Sequence, residues 1–144
     1  MPKISTFMYA EGAAQIQTSP NESKLQISAP LQVLPLLYVP GTFSFSVVVG
    51  IIDLDLSVTH QMQIRFKRSE DEKIVIDTNP MAIPPANADK LNELPTNLQG
   101  FIFSMGLQNV NFETEGEYVT EVMVDGEALG GFSINVVKRA NKNG

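Results

Sequence analysis

Apolar and polar residues alternate with a period of two along most of this chain, the signature of strands with one buried and one wet face. The pattern is complete between Leu56 and Lys67. Leu56, Val58, His60, Met62, Ile64 and Phe66 share one face, and Ser57, Thr59, Gln61, Gln63, Arg65 and Lys67 share the other. A helix would scatter both sets around its circumference. Upstream, Phe43, Phe45, Val47 and Val49 alternate with Thr42, Ser44, Ser46 and Val48, which predicts a second long strand. The charged tip Arg68 to Glu72 then closes a hairpin onto a short strand, Lys73 to Asp77.

The C-terminal third repeats the theme. Phe101, Phe103, Met105 and Leu107 alternate with Ile102, Ser104, Gly106 and Gln108. Tyr118, Thr120, Val122 and Val124 lead into Asp125-Gly126, a pair suited to the positive φ angles of a tight hairpin turn. The chain returns through Gly130-Gly131, where a bulge or bend is expected, to a final strand with Phe132, Ile134 and Val136. In the N-terminal third, Gln15 to Thr18 and Lys24 to Ser28 read as short strands around a Ser19 to Ser23 loop. Pro30, Pro35 and Pro40 suit Leu31 to Val39 to an edge strand. Asn79 to Pro95 holds four prolines and no strand pattern, and Asn87 to Leu94 fits one or two helical turns within a crossover. The expected fold is an all-β, immunoglobulin-like antiparallel sandwich of about 7–9 strands with little helix. It forms one domain over residues 1–139, with a frayed tail at 140–144.

Composition acts mainly by exclusion. A chain of 144 residues suits one domain, and an apolar share of 43% excludes a disordered chain. Sixteen acidic residues against ten basic ones give a net charge of −6, which argues against a nucleic-acid partner. The absence of Cys removes disulfides, thiol catalysis and thiolate metal sites, and agrees with a reducing cytoplasm. The apolar run Val47 to Ile52 is too short to span a bilayer, and Met1 to Ala14 lacks an apolar stretch of signal-peptide length. A cytoplasmic protein without a membrane partner is the expectation.

Glu115-Gly116-Glu117-Tyr118, the alternation that follows it and Asp125-Gly126-Glu127 resemble the end of an immunoglobulin-like sandwich. There a Tyr at the corner entering the penultimate strand bonds its hydroxyl to the backbone. The resemblance implies structural roles for Gly116, Tyr118, Asp125 and Gly126, and sets Thr120 where an antibody domain carries its second Cys. More broadly, Tyr38 to Val47 (YVPGTFSFSV) and Gly116 to Gly130 (GEYVTEVMVDGEALG) are similar to segments of small uncharacterised β-sandwich proteins. That family implies the fold and a bacterial or phage-related origin, and it brings no established activity.

Chemistry-bearing groups are few. His60 is the sole histidine and the natural general base, but alternation points the hydroxyls of Ser57 and Thr59 to the opposite face. It is therefore read as structural, a neutral ring near the core bonded to a backbone group. Asp53 and Asp55 form a D-x-D pair, read as a solvated turn rather than a cation site. Glu113, Glu115 and Glu117, with Glu121, Asp125 and Glu127 further along, form a denser acidic group, read first as a solvated outer face and otherwise as a speculative calcium site or a contact for a basic partner. Arg65, Lys67, Arg68 and Lys73 form the local basic patch, without the interleaved aromatics that stack nucleobases. Tyr9 and Tyr38 are the candidate platforms for a carbohydrate, and Gly12 and Gly130-Gly131 fit no phosphate-binding motif.

Together these features predict a non-enzymatic module, without a catalytic residue or cofactor, that binds another protein through a sheet edge or its loops. Arg65, Lys67, Arg68 and Lys73 are the expected contacts. A homo-oligomer is also allowed, through an apolar patch along Leu31 to Val39. The alternative is a small-ligand or carbohydrate-binding domain, calcium-assisted at the acidic hairpin.

Overall fold

A computed structural model describes residues 1–20, 22–85 and 95–139. The helical turns expected at Asn87–Leu94 and the frayed tail expected at 140–144 lie outside the described residues. In chain order the strands are β1 (Lys3–Ser19), β2 (Glu22–Leu31), β3 (Val33–Leu36), β4 (Gly41–Ile52) and β5 (His60–Arg68). They continue as β6 (Ile74–Asp77), β7 (Met81–Ile83), β8 (Gly100–Phe112), β9 (Gly116–Val124) and β10 (Glu127–Lys138). One sheet runs β2-β1-β4-β8; the other runs β3-β10-β9-β5-β6, with β7 also on β5. Phe45, Val47, Val49 and Ile51 of the first sheet meet Ile64, Phe66, Tyr118 and Val122 of the second in one core. The result is an all-β, immunoglobulin-like sandwich.

Four features depart from the sequence reading. There are ten strands among the described residues rather than seven to nine. The addition includes β7, three residues between Pro80 and Pro84, too short to show alternation. The edge strand foreseen within Leu31–Val39 is β3, but it pairs parallel to β10. After β2 the chain turns back into the opposite sheet, and that reversal sets the direction. The strand foreseen from Leu56 begins only at His60. The Asp55 carboxylate accepts the Ser57 amide at 3.0 Å, a local side-chain turn that outcompetes the ladder and leaves Val58 exposed. Finally, the two N-terminal strands are far longer than expected, 17 and 10 residues.

Candidate functional site

The chain enters β9 through Gly116, whose φ of +124° lies in a region that residues with a Cβ rarely adopt. This turn aims Tyr118 inward, where its hydroxyl donates to the Thr114 carbonyl at 2.8 Å. Its ring stacks on Phe66 and meets the edge of Phe112, at centroid distances of 5.6 and 5.2 Å. The expected tyrosine corner is present. Two residues on, the buried Thr120 hydroxyl lies 2.6 Å from the Tyr9 hydroxyl, which itself donates to the Phe132 carbonyl at 2.7 Å. Tyr9 has one proton to give, so Thr120 donates to it. Burial pushes the Tyr9 hydroxyl well above its ordinary pKa, against the Thr120 hydrogen bond. A polar link thus joins the two sheets through Thr120, the position that the resemblance sets against an antibody domain's second Cys. Tyr9 is core rather than a carbohydrate platform, whereas Tyr38 is exposed.

Beside the corner, the open side of the sandwich forms a cleft of about 340 Å³. Its floor includes Val75, Ile76, Val110 and Tyr118, and its rim carries Arg68, Lys73, Gln108, Asn109, Asn111 and Glu113. The cleft lies between β6 and β8, the outermost strands of the two sheets on that side. A bulge in β8 shapes it. Phe43 pairs with Val110 and Phe45 with Leu107, so Gln108 and Asn109 together face Ser44. Asn109 takes a φ of 52°, and its amide donates to the Ser44 hydroxyl at 2.8 Å. Bulges re-aim side chains, and this one lies at the cleft rim. The amides Gln108, Asn109 and Asn111 were not foreseen; their signal is the run Gln-Asn-Val-Asn that interrupts the alternation after Leu107.

Two members of the foreseen basic patch, Arg68 and Lys73, lie on this rim, with Glu113 of the foreseen acidic group. No member of the patch is a bare cation. Arg65 pairs with Asp77 at 3.3 Å, Lys67 with Glu72 at 3.2 Å and with Glu121, and Lys73 with Glu113 at 3.1 Å. Arg68 forms a two-pronged contact with Asp71 and reaches the Thr114 hydroxyl at 3.2 Å, tying the β5–β6 turn to the corner. The bond to Arg68 holds the Asp71 carboxyl well below the ordinary range, and the same contact raises Arg68. The hydrogen bonds that Lys67 donates to Glu121 and Glu72 raise its pKa likewise.

The speculative calcium site at Glu113, Glu115 and Glu117 does not form. Glu113 is taken by Lys73, and Glu115 accepts the Lys138 amide at 2.9 Å on another side of the turn. No group of three acidic or His side chains among the described residues converges to hold a metal. Asp53 and Asp55 also face different partners, the Met1 amino group at 2.9 Å and Ser57.

At the other end of β9, Asp125 and Gly126 take φ of 52° and 80°, the turn foreseen for that pair. One Asp125 oxygen accepts the Gln61 amide at 2.8 Å and the other lies 2.7 Å from Nδ1 of His60. His60 Nε2 lies 2.5 Å from the Asp55 carbonyl. Both ring nitrogens face acceptors, so only the imidazolium satisfies both. Burial opposes that charge, but the Asp125 and Asp55 hydrogen bonds outweigh it and raise the pKa. The Gln61 amide and His60 together lower that of Asp125. In place of the expected neutral ring with a single backbone bond, His60 is held between the Asp125 carboxylate and the Asp55 carbonyl, and among the described residues no hydroxyl is hydrogen-bonded to it.

Residues 13–137 match the sequence profile of DUF6941, a family of unknown function. The chain belongs to that family. None of the curated proteins is similar to it in sequence. Among solved structures it is similar to an immunoglobulin-like protein from Pseudomonas aeruginosa, at 13% identity and a TM-score of 0.48 over 95% of this chain and 97% of that one. It is also similar to part of the alkylpurine DNA glycosylase AlkC from Pseudomonas fluorescens, solved with DNA containing an abasic-site analog. That match has 13% identity and a TM-score of 0.42, and covers 96% of this chain but only 30% of the glycosylase. The family match rests on sequence, and the two structural likenesses concern fold alone.

Proposed function

We propose that this member of DUF6941 is a non-enzymatic interaction module that takes an extended segment of another protein into the cleft between β6 and β8. One observation carries the reading: the cleft lies between two sheet edges, with an apolar floor and a rim of charges and amides. A strand added to such an edge gains main-chain hydrogen bonds, and neighbouring pockets read its alternate side chains. Arg68 and Lys73 sit at the rim in neutralised pairs, so they contribute register and polarity rather than bulk attraction. The cysteine-free sequence supports a cytoplasmic setting.

A second reading, a small polar ligand such as a saccharide, is favoured by the cleft volume of about 340 Å³. Small-molecule sites span roughly 300–1,000 Å³. Capture from a host lysate with wild type and with Asn111→Arg, which fills the cleft, separates the readings. A stoichiometric protein retained by wild type and lost by the variant supports the module. Equal retention by both removes the cleft from the interaction. A folded bait that captures nothing shifts the weight to the ligand reading, which thermal shifts with a saccharide panel then test.

A further inference from the structure

β1 parts from β4 after Ala10. The β1–β4 ladder ends at Ala10 and Ser46, whereas β1 and β2 stay paired out to Ser19 and Glu22. Glu11–Ser19 and Glu22–Ser28 therefore form a two-stranded arm, roughly 30 Å long at about 3.3 Å per residue. A lone two-stranded ribbon is marginal in water and gains from a third strand. The β1 edge of the arm, on the side that β4 occupies closer to the core, has no strand partner among the described residues. Exposed edges are ordinarily blunted by charge, proline or a bulge. The outer β2 edge has Glu22, Lys24 and Pro30; from Gly12 to Ser19 β1 has neither charge nor proline, and its bulge lies near the tip, between Gln17 and Ser19.

We propose that this β1 edge pairs antiparallel with the same edge of a second copy, about a two-fold axis at Ala14. The proposal is independent of the cleft. Centring on Ala14 uses the regular stretch Glu11 to Gln17 and sets Glu11 opposite Gln17, so no like charges meet in a chain of net charge −6. It also sets Ile16 opposite Gly12, twice by symmetry. Both residues lie on the Ala14 face; Ile16 is 40% exposed, and the space where Gly12 would carry a Cβ is empty to 4 Å. Each copy thus supplies a knob and a gap, the self-complementarity that a two-fold interface requires.

Sedimentation of wild type across a concentration series, with Ala14→Lys and Ala14→Glu, tests this. Wild type forms a dimer. Each variant, which sets like charges face to face on the axis, weakens it by about tenfold or more, and an equimolar mixture of the two restores it. Ala14 is exposed, and unchanged melting temperatures verify that the variants fold. A monomeric wild type, a dimer indifferent to both substitutions, or no recovery on mixing overturns the proposal. So does a dimer lost only with Tyr38→Ser, which moves the interface to the exposed Leu37–Tyr38 loop.

Discussion

Tyr9 and Thr120 show how much a single buried polar pair can decide. Strand alternation marks Thr120 as inward-facing, yet its partner lies 111 residues away and is chosen by how the sheets stack. Tyr9→Phe removes the partner of the Thr120 hydroxyl and one bond to the Phe132 carbonyl, at a cost of about 1–3 kcal/mol. Thr120→Val costs a similar amount, and urea denaturation of the double variant is expected to show less than the sum. His60 is the second residue whose role depends on distant chain. Its folded pKa lies above the ordinary value of 6.5. The bond to Asp125 therefore contributes fully below that value and is lost as pH rises through the folded pKa. The depressed Asp125 pKa adds stability above the ordinary carboxylate value, lost as pH falls through the folded one. Melting temperature should decline from about pH 6 to 8 in wild type, and His60→Gln should flatten that slope.

Among the elements, β9 was the most legible because its instructions are local. Gly116 needs its positive φ, Tyr118 bonds back four residues, and Asp125-Gly126 closes a two-residue turn. Gly116→Ala is expected to cost about 1–3 kcal/mol by forcing an unfavourable backbone. Tyr118→Phe should cost about 1 kcal/mol through the lost hydroxyl bond, with ring packing kept. Chemical denaturation reads both. β5 was legible only from His60 onward, because perfect alternation from Leu56 fits a strand and an Asp55 turn equally well until the partner strand is known. The parallel pairing of β3 was illegible for a related reason: Leu34 and Leu36 point inward whichever way the neighbour runs.

At the scale of the whole molecule, the cations of the β5–β6 hairpin interlock with nearby carboxylates. Asp77, Glu121, Asp71 and Glu113 each neutralise a cation of the hairpin that looked basic in sequence. Such exposed pairs add little stability, but they neutralise the one local basic patch, and the net charge of −6 disfavours a phosphate backbone elsewhere. Fluorescence anisotropy with duplex DNA should therefore show no salt-dependent binding at physiological ionic strength. The acidic run and the basic run were both visible in sequence, but their pairing needed β5, β6 and β9 to be neighbours. The candidate cleft was half legible: Arg68, Lys73 and Glu113 stood out by charge, while Gln108, Asn109 and Asn111 became a rim only through the β8 bulge. By itself the sequence determined the fold class, most strand faces and the corner into β9, since period-two burial and backbone φ are set within a few residues. The inter-sheet Tyr9–Thr120 bond, the His60 staple, the cleft and the projecting arm were decided by tertiary structure, since each depends on which distant strands meet and where they part.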